Sequence, residues 1–256
     1  MLRVSDIAVR FGGVHALQGV SLDFQPGAVT GLIGPNGAGK TTMFNVMTGL
    51  QRATAGRVTL DDTDITSASP QARARLGVAR TYQRVELFGT LTARENVLVA
   101  AEVHRGWSRS RSSTSPRAVA DELIERTGLA EVADVPADVL PTGMARLVEL
   151  ARALASKPRV LLLDEPSSGL SVPESRALGD LLVELAGEGI AVLLVEHDMD
   201  LVMRVCGYLH VLDFGEAIAG GTPAEIRRDP RVQQAYLGAA PIDEESISAA
   251  GLEDGA

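Results

Sequence analysis

A single cysteine, Cys206, stands in 256 residues. That excludes an internal disulfide framework and any cysteine-based zinc site. Aromatic residues are also scarce, at 4% against 45% hydrophobic residues in all. Such a balance fits an aliphatic α/β protein better than an aromatic-rich β-sandwich. No stretch reaches the roughly 18 uncharged apolar residues that a membrane-spanning helix needs. No basic-then-apolar leader opens the sequence, and the expectation is a cytoplasmic protein. An excess of basic residues is missing too: the formal net charge of −9 argues against a general nucleic-acid binder. Five of those charges (Asp243, Glu244, Glu245, Glu253, Asp254) fall in the last sixteen residues, so removing them from −9 leaves −4 on the rest. The length permits one large domain or two small ones with an ample core, which excludes disorder of the whole.

From Leu2 to Leu60 short β-like runs alternate with Gly and Pro punctuation, and a helix-like stretch from Lys40 to Leu50 follows the apolar run Val29 to Ile33. Between about Glu86 and Ser156 the spacing predicts helices over Thr92–Val103, Arg117–Thr127 and Met144–Ala155. The intervening His104–Ala118 is rich in Arg and Ser without an acid, and reads as a solvated loop. Strands are expected at Arg159–Asp164 and Ile190–Glu196, separated by a helix over Pro173–Ala186. Both strands are continuous aliphatic runs, as a parallel sheet covered on both faces requires. Residues 241–256 read as an acidic flexible tail.

Gly34-Pro35-Asn36-Gly37-Ala38-Gly39-Lys40-Thr41 satisfies G-x-x-x-x-G-K-[ST] and lies between a hydrophobic strand and a helix. In that setting glycines let backbone N–H groups turn toward phosphates, and the positive end of the helix dipole adds to the attraction. Lys40 would reach the β- and γ-phosphates of ATP, and Thr41 would ligate Mg²⁺. A second run, Val160-Leu161-Leu162-Leu163, delivers Asp164 and Glu165 to the carboxyl edge of the sheet. Asp164 is a hard oxygen donor suited to the Mg²⁺ shell. Glu165, one residue further on, could polarise a water for attack on the γ-phosphate.

The segments Ile33 through Thr42, Asp164-Glu165-Pro166, and His197 after Leu193-Leu194-Val195-Glu196 resemble the ATP-binding subunits of ABC transporters, over about residues 1–238. The resemblance implies an α/β fold: a P-loop NTPase core with a parallel sheet, an N-terminal antiparallel β lobe and an inserted α-helical subdomain at about 86–156, all within 1–240. It also implies roles. Phe11, in Val9-Arg10-Phe11-Gly12-Gly13, matches the aromatic that stacks on adenine, although read alone it is better taken as a core residue. Gln83 matches the glutamine that touches Mg²⁺ and the attacking water, and His197 matches the histidine that contacts the γ-phosphate. Gly34, Asn36, Gly37, Ala38, Gly39, Lys40, Thr41 and Thr42 make up the nucleotide-binding set, with ATP and Mg²⁺ as the ligands.

Arg80-Thr81-Tyr82-Gln83, Glu95-Asn96-Val97-Leu98-Val99-Ala100, Val195-Glu196-His197-Asp198-Met199 and Ala235-Tyr236-Leu237-Gly238 are similar to one subfamily, the ATPase subunits of branched-chain amino acid importers. Importers of urea and short amides share much of this pattern. The implied partners are a second ATPase subunit, transmembrane permeases docking near Gln83 to Thr92 and, indirectly, an extracytoplasmic substrate-binding protein. The implied location is peripheral, on the cytoplasmic face of the membrane. A soluble ABC-type ATPase would normally carry a long coiled coil or a second tandem module, and neither pattern occurs in this sequence. A P-loop kinase would not be expected to carry Gln83, the signature segment and His197 in this order.

Two segments depart from the family. Its signature reads close to L-S-G-G-Q, and here it is Leu140-Pro141-Thr142-Gly143-Met144, different at three of five positions. Pro141 removes both a hydroxyl and a backbone N–H, although proline suits a helix start. In Ser168-Gly169-Leu170-Ser171, Ser171 stands where Asp or Asn is usual. In the family each nucleotide is sandwiched between one chain's phosphate loop and the other's signature. A heterodimer with one complete site is therefore expected, unless Gly143 and the helix N-terminus suffice.

Overall fold

In the computed structural model, residues 1–82, 85–107 and 114–237 are described. The chain opens with an antiparallel hairpin of β1 (Leu2–Phe11) and β2 (Val14–Phe24). Strand β3 (Val29–Ile33) is buried throughout and leads through the glycine-rich loop into helix α1 (Lys40–Thr48). Gly49, at φ 81°, ends that helix short of Leu50, in the left-handed conformation a helix C-terminus favours. Strands β4 (Ala55–Leu60) and β5 (Thr63–Asp64) complete a four-stranded sheet of order β2-β1-β4-β5.

Helix α2 (Pro70–Arg75) precedes β6 (Val78–Arg80). Three helices follow before the chain returns to the sheet: α3 (Ala93–Trp107), α4 (Pro116–Arg126) and α5 (Thr142–Ala155). The predicted loop His104–Ala118 is thus shorter than expected. His104–Trp107 continue α3, where the Arg75 guanidinium lies 5.7 Å from the Trp107 ring centre. Pro116 opens α4 behind the cap Ser115, whose hydroxyl accepts the Ala118 N–H at 3.1 Å. A Ser-Pro pair is a helix-start signal, and here it outweighs the arginine-rich composition around it.

The rest alternates: β7 (Val160–Asp164), α6 (Val172–Gly187), β8 (Ala191–Val195), α7 (Met199–Val205), β9 (Tyr208–Asp213), β10 (Glu216–Gly221), α8 (Pro223–Arg228) and α9 (Pro230–Leu237). The main sheet runs β10-β9-β3-β8-β7-β6, with every neighbouring pair parallel except β10 with β9. Its central strands β3, β8 and β7 are buried on both faces. Leu162, Leu193 and Leu212 pack toward the antiparallel sheet and α1, whereas Leu161, Leu163, Leu194 and Val211 pack toward the helices. Two cores on either side of one sheet explain why β7 and β8 read as unbroken aliphatic runs rather than alternating ones. The α/β architecture with a parallel core sheet, an antiparallel N-terminal sheet and helices between β6 and β7 is the one expected. The expected tail, 241–256, lies outside the described residues.

Candidate functional site

The glycine-rich loop is shaped by close approaches that only glycine allows. A Cβ on Gly34, at φ 148°, would lie 2.0 Å from the Leu212 carbonyl oxygen. One on Gly39, at φ 106°, would lie 2.8 Å from the Ala16 carbonyl oxygen. The loop is therefore wedged between β9 and the first hairpin, with the Gly215 N–H bound to the Ala38 carbonyl at 3.0 Å. Asn36, Gly37 and Thr41 are exposed, Thr42 is half-buried and Ala38 is buried.

Lys40 bends back over the loop, donating to the carbonyls of Gly34 at 2.5 Å and Pro35 at 3.0 Å. Burial draws its ammonium below the ordinary lysine range, and the nearby carboxylates of Glu165 and Asp164 oppose that shift. Lys40 is thereby brought to the same sheet edge as the two acids at the end of β7.

Those acids have unlike surroundings. Asp164 is buried, and burial raises its carboxyl while the Arg80 guanidinium, 3.2 Å away, opposes the rise. Its N–H bonds the Thr81 hydroxyl at 3.3 Å. Glu165 is strained, at φ 51°, and its N–H reaches across to the Val195 carbonyl at 2.8 Å. A non-glycine residue in this left-handed region costs about 1–2 kcal/mol, so the surroundings must hold it there. Its Oε1 lies 3.1 Å from Nε2 of His197, which follows β8 and is largely exposed.

Phe11, at the tip of the first hairpin, is 50% exposed, so it is not a core residue. Gln83 lies outside the described residues. For Mg²⁺ the donor set is chemically suitable, with a hydroxyl at Thr41 and a carboxylate at Asp164, both hard oxygen donors.

Sequence reasoning named Arg80 only as part of a phrase. In the structure it joins three elements: it bonds Asp164, donates to Asn45 Oδ1 on α1 at 2.5 Å, and lies 5.4 Å and 5.0 Å from the ring centres of Phe44 and Tyr82. The pairing of β6 with β7 sets this meeting, and no sequence pattern signals it. Beyond it, a groove of about 410 Å³ is lined by Tyr82, Glu86, Trp107, Glu149 and Arg152, among others. The buried Arg146 guanidinium donates to the Tyr82 carbonyl at 2.5 Å.

The departing segments also have defined places. Pro141 is the N-cap of α5, and no side chain caps that helix. Gly143 abuts the loop after Glu165, since a Cβ there would lie 2.6 Å from the Gly169 carbonyl oxygen. Ser171 caps α6, its N–H and hydroxyl both donating to Glu174 Oε2, at 2.7 and 2.6 Å. Serine is a good N-cap, so this departure keeps the helix start intact.

A phosphate loop at the carboxyl edge of a parallel sheet, an Asp-Glu pair at the end of β7 and a histidine after β8 against the glutamate define a P-loop ATPase with a helical insertion. The chain matches the ABC transporter family over residues 17–168, and it belongs to that family as an ATP-binding, ATP-hydrolysing subunit. Residues 218–241 match a second family, described as branched-chain amino acid ATP-binding cassette transporter. Among relatives, the high-affinity branched-chain amino acid transport ATP-binding protein LivG of Escherichia coli K12 is 40% identical over 253 residues, covering 94% of this chain and 98% of that one. BraF of Pseudomonas aeruginosa, with the same description, is 41% identical over 251 residues, again 94% and 98%. Among solved structures, the ADP conformation of an ATP-binding cassette of an ABC transporter superposes with a TM-score of 0.81 at 31% identity, covering 93% of this chain and 98% of that one. Among the described residues no helix is long and apolar enough to cross a membrane.

Proposed function

We propose that this chain energises an importer of branched-chain amino acids, working with a second ATPase subunit and transmembrane permeases at the cytoplasmic face of the membrane. The observation that carries the chemistry is the 3.1 Å pairing of Glu165 with His197 at the sheet edge that also holds Lys40. The transported class rests on the names of the relatives and on the match at residues 218–241.

Phe11 offers its exposed ring to adenine, and the loop Gly34, Asn36, Gly37, Ala38, Gly39 with Lys40, Thr41 and Thr42 holds the phosphates. Thr41, Asp164 and Gln83 are assigned to Mg²⁺, which when bound neutralises phosphate charge as a Lewis acid. Glu165 accepts a proton from the attacking water, and His197 holds Glu165 and faces the γ-phosphate. The groove at Tyr82, Glu86 and Trp107 receives the permeases. An extracytoplasmic binding protein delivers substrate to those permeases and never meets this chain.

The test is uptake by proteoliposomes holding this chain with its cognate second ATPase and permeases, plus the binding protein. ATP-dependent uptake of leucine, isoleucine or valine is expected. Uptake of urea or short amides alone would reassign the substrate, and ATP hydrolysis unaffected by the permeases would remove the chain from transport.

A further inference from the structure

Glu196 is a buried carboxylate to which the roles above assign nothing. It follows β8 directly, at 6% exposure, between the strand and His197. Its two oxygens point to different loops. Oε1 accepts the N–H of Ser167 at 2.7 Å, in the segment that follows Glu165. Oε2 accepts the N–H of His197 at 3.2 Å. The Ser167 hydroxyl and the Asp198 N–H add to these donors and offset part of the burial that pushes the carboxyl up.

A buried carboxylate spends its hydrogen-bonding capacity where the fold aims donors at it, since an unpaired one is costly. Here the donors belong to two loops that leave the sheet just past the end of the β7–β8 ladder, whose last link is the Glu165 N–H on the Val195 carbonyl. The loop after β7 turns at Glu165 in a left-handed conformation, and the Ser168 N–H closes that turn on the Glu165 carbonyl at 3.3 Å. Ser167, inside the turn, is the residue Glu196 grips. Beyond that last ladder link, one carboxylate therefore ties the turn that aims Glu165 to the peptide that carries His197.

We infer that Glu196 is a positioning residue for ATP hydrolysis: its carboxylate clamps the Glu165 loop to the His197 loop and so sets the 3.1 Å spacing between Glu165 Oε1 and His197 Nε2. This rests on the roles proposed for Glu165 and His197. The clamp touches neither the phosphate loop nor Phe11, so it acts on turnover and not on nucleotide capture. A glutamine at this position keeps one accepting oxygen but turns an NH₂ group toward a backbone N–H, which releases one loop.

The experiment compares full-length wild type, Glu196→Gln and Glu196→Ala, each assembled with the cognate second ATPase and permeases. Nucleotide affinity, kcat and KM for ATP, and amide exchange across 164–171 and 195–200 are measured. For Glu196→Gln the expected result is ADP affinity and KM within about twofold of wild type, kcat at least tenfold lower, and faster exchange confined to those two segments. Glu196→Ala is expected to lower kcat further. Wild-type kcat in both variants, or unchanged exchange at the two loops, overturns the clamp. A fall in nucleotide affinity and melting temperature that matches the fall in kcat overturns it too, by making Glu196 merely structural. Glu165→Gln in the otherwise unchanged chain separates the two readings. If that variant keeps full turnover, the role given to Glu165 fails, while loop exchange in Glu196→Gln still reports whether the two loops are held together.

Discussion

Arg80 and Asp164 form an ion pair at 3.2 Å with side chains only 6% and 5% exposed, at the ends of the neighbouring parallel strands β6 and β7. The partners are 84 residues apart in the chain, so the sheet alone brings them together. Removing one partner of a buried pair strands the other charge, which is more damaging than losing the pair.

Arg80→Met is therefore expected to destabilise the chain by about 3 kcal/mol at neutral pH, read from urea unfolding. Loss of the guanidinium lifts Asp164 further above its ordinary value of 3.8, because burial already raises it. The penalty should be full above that raised value and fade as acid protonates Asp164. Asp164→Asn in the Arg80→Met background should recover part of the loss. An Arg80→Met chain as stable as wild type at neutral pH would refute the pairing as a structural element.

How far the sequence could be read differs from element to element. The phosphate loop was legible because a strand, glycines and a helix-opening lysine are contiguous, and local physics suffices to place them. The helices α3, α4 and α5 were legible from apolar spacing. Their ends were less so: arginines between His104 and Arg117 point to solvent, whereas the Ser115-Pro116 pair starts the helix. Arg80 and Glu196 were not legible as partners of the site. Each meets its counterpart across the carboxyl edge of the sheet, Glu196 reaching Ser167 across 29 residues, and no periodicity encodes such a meeting.

Glu165→Gln is expected to keep ATP affinity and to lower turnover in the assembled complex by about 10²-fold or more, as loss of a general base does. Parallel binding and phosphate-release assays decide it. Undiminished phosphate release would take Glu165 out of the reaction.

Half exposed at a hairpin tip, Phe11 has little packing to lose. Phe11→Ala should weaken ATP binding by about 1–3 kcal/mol, the scale of a base–aromatic stack. Its melting temperature should stay within about two degrees of wild type, as for a surface substitution. Calorimetric titration and thermal unfolding together test this, and a lowered melting temperature with unchanged affinity would return Phe11 to a structural role.

Replacing Pro141-Thr142-Gly143-Met144 by Ser-Gly-Gly-Gln should raise the ATPase rate of this chain when it is purified alone, by supplying the hydroxyl and N–H that Pro141 lacks. In complex with its second ATPase the unaltered chain should hydrolyse ATP at one site. Robust turnover by a homodimer of the unaltered chain would show that Gly143 and the start of α5 are sufficient.

Within that signature segment one altered position, Met144, shares the surroundings of the retained Leu140, and the other two are exposed. Leu140 and Met144 are both half-buried against the helical core and Gly143 is pressed against Gly169, whereas Pro141 and Thr142 are exposed. The turn is thus held by two apolar anchors and one missing side chain, with Pro141 and Thr142 on its exposed side. A search by consensus letters would score this turn as decayed, although α5 still starts at Thr142 and Gly143 still lies against Gly169. Engineering that seeks to uncouple the turn from the Glu165 loop has one point of entry, Gly143, where a single added methyl would pry the two apart.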